Sequence, residues 1–66
     1  MSQTIAQALR EGATRLAAAG IEDAQRDARR LMAHALSVGP ERLLLLAPDP
    51  FPATATATWT AAVEAR

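Results

Sequence analysis

Neither cysteine nor tyrosine occurs in these 66 residues, and the aromatic side chains are Phe51 and Trp59 alone. Without cysteine, no disulfide and no thiolate metal site can staple the chain, and a reducing cytosol is the default compartment. The single histidine, His34, cannot build a zinc site by itself. Charge of neither sign is in excess: seven basic and seven acidic residues give a formal net charge of zero, which removes the long-range field by which a nucleic-acid binder gathers phosphates. No apolar run approaches the roughly 20 residues that span a bilayer, and residues 1–7 lack the basic and apolar regions of a signal peptide. The expectation is a soluble cytoplasmic chain with neither a membrane nor a nucleic-acid partner. One core in a chain this short supplies only roughly 3 to 5 kcal/mol, so a single domain of marginal stability is expected.

What the chain has in abundance is alanine, which makes up much of an apolar fraction of 50%. Alanine favours helices over strands and buries little area, so the composition points to closely packed helices around a thin core. Thr4 followed by Gln7 is a capping box, and Ile5, Ala8, Leu9, Gly12, Ala13, Leu16 and Ala17 recur at helical spacing. A first helix over 5–19 follows, with Glu11 and Arg15 placed as an i, i+4 pair and Gly20 standing where a left-handed cap is wanted. Gly12 falls on the apolar face, the signature of another helix approaching closely.

The segment D-A-Q-R-D-A-R-R-L-M-A-H-A-L, Asp23 to Leu36, sets a second helix over 23–37. Asp23 is its N-cap, and Ala24, Ala28, Leu31, Met32, Ala35 and Leu36 form its buried stripe. Glu22, Asp23 and Asp27 favour its N-terminal end electrostatically. Arg26, Arg29 and Arg30 lie outside the stripe and read first as a solvated charged face, with Arg26 able to pair back to Glu22. His34 falls at the boundary of the apolar face. A general base needs a nucleophile within reach and a group to orient it, and none is recognisable beside His34, so no catalytic, cofactor-binding or metal-ligating residue is assigned. Arg10, Arg29 and Arg30, long and expected to be exposed, are the candidates for contact with an acidic partner.

Beyond Gly39-Pro40 a short third helix is expected over 41–47, and its Leu43–Leu46 run, apolar on every side, reads as largely buried. Pro48, Pro50 and Pro52 forbid regular structure through A-P-D-P-F-P, leaving an extended linker whose Phe51 packs back on the bundle. In the last segment Thr54, Thr56, Thr58 and Thr60 alternate with alanine as a strand would, yet Ala55, Trp59, Ala62 and Val63 also form a helical stripe. With helical partners already present, a fourth helix over 54–66 is preferred. It stops in mid-pattern, as though cut from something longer, so an apolar strip around Trp59 and Val63 is expected to be exposed. The fold class is therefore all-α, a small orthogonal bundle of about four helices.

In their order, T-I-A-Q-A-L-R-E-G-A-T-R-L-A-A-A-G-I, then D-A-R-R-L-M-A-H-A-L, then a leucine-rich segment and a proline linker, these elements resemble the N-terminal domain of the HemK-type release factor glutamine methyltransferases. Asp27-Ala28-Arg29 with Leu31, His34 and Leu36 carries the most specific part, supported by Leu9, Leu16, Gly20 and Ile21. The resemblance covers essentially the whole chain. It implies an enzyme that moves a methyl group from S-adenosylmethionine to the glutamine of the Gly-Gly-Gln loop of peptide-chain release factors, and it makes release factors and a C-terminal catalytic domain the expected partners. The cofactor loop and the Asn-Pro-Pro-Tyr motif of that catalytic domain do not occur here, so no methyl transfer is expected from this chain alone. Two other classes stay open on the sequence: a free-standing helical interaction module, and a helix-turn-helix nucleic-acid binder built around Gly20.

Overall fold

The structure, a computed structural model, describes residues 3–65. Its four helices are α1 (Ile5–Ala18), α2 (Ala24–Leu36), α3 (Pro40–Leu46) and α4 (Ala53–Glu64), and no sheet forms among the described residues. The chain is thus a small all-helical bundle. Arg66, where the fourth helix was expected to end, lies outside the described residues.

Each helix begins and ends for a local reason. At the start of α1 the Thr4 hydroxyl accepts from the Gln7 amide at 3.1 Å, and the Gln7 side chain accepts from the Thr4 amide at 2.9 Å, completing the capping box. The remaining first-turn amides find distant partners: Ile5 donates to the Asp49 carbonyl at 3.0 Å and Ala6 to the Ala47 carbonyl at 2.9 Å. Phe51 donates in turn to the Gln3 carbonyl at 2.7 Å. The proline-rich segment is therefore more than an extended linker. Its prolines bar it from a ladder of its own, and its free carbonyls close the N-terminus of α1.

At the other end of α1, Gly20 adopts φ +90°, with Ile21 donating to Leu16 and Gly20 to Ala17, the paired bonds of a Schellman motif. The same pattern closes α2, where Val38 donates to Ala33 and Ser37 to His34. There the left-handed position, φ 56°, is filled by Ser37 instead of glycine, at some conformational cost. Asp23 holds the N-cap position of α2 as expected, but its side chain makes no capping bond. Helix α3 opens with Pro40 in its first turn, where a missing amide hydrogen is harmless.

The core gathers Ile5, Ala8 and Leu16 of α1, Ala24, Ala28, Met32 and Ala33 of α2, Leu43 of α3, and Trp59 and Val63 of α4. Leu16, Met32 and Leu43 are its largest fully buried side chains, each contributing about 1.5 to 3 kcal/mol through the apolar surface removed from water. Helix α2 is central and packs against the other three. Gly12 is buried beneath α4: a Cβ added there would overlap the Trp59 indole at Cζ2 and Cη2.

Three expectations are corrected. Trp59 and Val63 are each 7% exposed, not an open strip, because α1 and α2 already cover that face of α4. The leucine run is not largely buried: only Leu43 is inside, while Leu44 and Leu45 are 69% and 78% exposed. A seven-residue helix on the rim of a bundle meets it along one side, and consecutive residues turn by about 100° each, so four leucines in a row cannot all face inward. His34 is exposed and not a boundary residue.

Candidate interaction surface

Helix α2 turns its buried stripe to the core and leaves three arginines outside it. Arg26, Arg29 and Arg30 stand at i, i+3 and i+4, a spacing that puts them on one face about 5 to 6 Å apart at their Cβ atoms. They border a groove of about 490 Å³ that Ala33 shares from α2 and that Pro40, Leu43 and Leu44 complete from α3. The floor is apolar and one wall is cationic.

No ion pair holds these arginines among the described residues. Glu22 lies before the N-cap of α2 and does not pair with Arg26, and Glu11 and Arg15, four residues apart on α1, do not pair either. Glu11 instead accepts from the Gln3 side-chain amide. Exposed pairs of this kind gain little over hydration and cost side-chain entropy, so failure to form them is cheap. Asp27 is already engaged and half-buried.

Of the residues singled out in the sequence, Arg29 and Arg30 come together here, whereas Arg10 does not join them. Arg10 lines a second groove, about 430 Å³, between α1 and α2, where Leu9, Ala13 and Ala28 form the apolar surface and Arg29 borders the opposite side. Arg29 thus sits on the ridge between the two grooves. The sequence reading missed Arg26, assigned to Glu22, and Leu44, assigned to the core. The i, i+3, i+4 spacing of the arginines was the available signal for the first, and the rotation of consecutive residues on a helix was the signal for the second.

The arrangement suits binding by contact. Among the described residues every buried side chain is apolar, and no cluster of three or more histidine, cysteine or acidic residues able to hold a metal ion occurs. Among the described residues no helix is long and apolar enough to cross a membrane.

The family described as the PrmC N-terminal domain matches residues 7–66. The chain belongs to that family. The release factor glutamine methyltransferase of Cereibacter sphaeroides is 57% identical over 61 residues, which cover 92% of this chain and 22% of that protein. The chain therefore spans about a fifth of the length of that relative. No solved structure matches it significantly.

Proposed function

We propose that this chain is the substrate-recognition part of a release factor glutamine methyltransferase, an enzyme that methylates the glutamine of the Gly-Gly-Gln loop of peptide-chain release factors in the cytoplasm. The reading is carried by the 57% identity to a release factor glutamine methyltransferase along 92% of the chain. The cationic, apolar-floored groove between α2 and α3 supports it, because it offers binding chemistry without reacting groups.

S-adenosylmethionine would supply the methyl group, but the residues present do not fit a site for it. Gly12 is covered by Trp59, Gly20 closes α1, and Gly39 is the N-cap of α3. The three are isolated from one another and form no glycine-rich loop, so cofactor and chemistry are assigned to a catalytic domain outside residues 1–66.

The test compares the complete methyltransferase with a version lacking residues 1–66, using labelled S-adenosylmethionine and either a whole release factor or a short peptide carrying its Gly-Gly-Gln loop. Loss of the domain is expected to raise KM for the whole release factor roughly tenfold or more, equivalent to about 1.4 kcal/mol of binding per decade, with the peptide little affected. Equal effects on both substrates would remove the recognition role, and absence of methyl transfer by the complete protein would remove the parent activity.

A further inference from the structure

We propose that the groove between α2 and α3 docks a carboxylate-bearing segment of the release factor, with acidic side chains on Arg26, Arg29 and Arg30 and an apolar side chain against Leu44. This deepens the function proposed above and rests on it.

Charge complementarity names the occupant. Arg26, Arg29 and Arg30 all line the groove from α2, and among the described residues none of them forms an ion pair with a carboxylate. Glu22, Asp23 and Glu41, the acidic residues that flank them along the chain, form no ion pair with them among the described residues. Like charges at this spacing repel, and an acidic segment turns that repulsion into attraction. Arginine supplies every positive side chain of the molecule, which has no lysine. Its planar fork takes a carboxylate through two parallel hydrogen bonds, while its aliphatic stem adds to the apolar wall.

The apolar half of the recognition comes from α3. Leu44 and Leu45 are the two large hydrophobic side chains that the described residues leave exposed, and Leu44 lines the same groove as the arginines. An acidic segment with one apolar anchor satisfies both walls together. A lipid surface fits less well: two leucines on a seven-residue helix form a small apolar face, and the molecule has no net positive charge to draw it to anionic lipid.

The experiment measures binding of the chain to a purified release factor by calorimetry at low and moderate salt, for the unsubstituted chain, Arg29→Glu, Arg30→Glu and Leu44→Ser. Arg15→Glu, on α1 and away from the groove, provides the same charge change as a control. All four positions are exposed, and an unchanged helical circular-dichroism signal verifies folding. Each groove variant is expected to raise Kd roughly tenfold. Arg29→Glu and Arg30→Glu should also flatten the salt dependence, since screening acts on the charges they reverse. Arg15→Glu should bind as the unsubstituted chain does.

Groove variants that bind normally, or an equal loss with Arg15→Glu, would overturn the docking site while leaving the recognition function standing. No binding by the unsubstituted chain would overturn both. Capture by mixed phosphatidylcholine and phosphatidylglycerol vesicles that Leu44→Ser abolishes would assign the groove to lipid and overturn the proposal as well.

Discussion

At Gly12 the missing side chain is what lets the indole of Trp59 lie on the backbone of α1. Gly12→Ala should therefore destabilise the chain in spite of alanine's better helix propensity. Overpacking at a buried contact costs about 1 to 3 kcal/mol, against a gain of about 1 kcal/mol from propensity. Urea unfolding of Gly12→Ala should show a lower midpoint, and adding Trp59→Phe should recover part of the loss; a midpoint at or above that of the unsubstituted chain would show that α4 shifts without cost. The sequence showed that something approaches Gly12, because its position on the apolar face is a local fact. Which side chain approaches is a matter of chain return, and periodicity holds no information about that. Arg26 teaches the complementary lesson: a partner four residues away looked sufficient, yet Glu22 lies before the helix begins, and an exposed pair gains little over hydration.

Among the elements, α4 is the one in which local preference and tertiary context oppose each other. Thr54, Thr56, Thr58 and Thr60 favour strand, but an isolated strand has no neighbour to pair with, whereas helical geometry sends Ala55, Trp59 and Val63 into the core. Packing wins and the threonines remain as a residual cost, with the Thr56 hydroxyl satisfied by the Pro52 carbonyl at 3.4 Å. Replacing the exposed Thr54 or Thr58 by alanine should consequently stabilise the chain, by roughly 0.5 kcal/mol each from helix propensity, seen as a rise in melting temperature. A fall for both would mean that their side chains make contacts that matter. Helices α1 and α2 were legible nearly to their ends because their caps and stripes are written within a dozen residues. The closure of α1 by Ala47 and Asp49 was not. Proline announces that a segment cannot pair with itself, but not where its carbonyls will be used.

For the molecule as a whole, the central place of α2 sets how it should come apart. Helices α1, α3 and α4 all lean on α2, and the core is one cluster drawn from all four. Removing any one helix exposes part of the same small core, so unfolding should be a single cooperative transition, as for most small domains. The family, too, was readable at this scale, since it resides in the order of elements more than in any one of them. The groove between α2 and α3 was only half readable: arginines stand out in a sequence, while the exposure of Leu44 depends on how little of α3 the bundle can cover.

Trp59 makes that cooperativity directly visible. It is the sole indole, there is no tyrosine to contribute emission, and its ring rests on Gly12 at the junction of α1 and α4. Intrinsic fluorescence therefore reports the docking of two helices from opposite ends of the chain, while far-ultraviolet ellipticity averages over every helical turn. Superimposable melting curves from the two signals are the expected result; a fluorescence change at lower temperature would identify the separation of α4 as a distinct step. The same nestled ring that fixes glycine at position 12 thus turns an unlabelled chain into its own optical gauge of assembly.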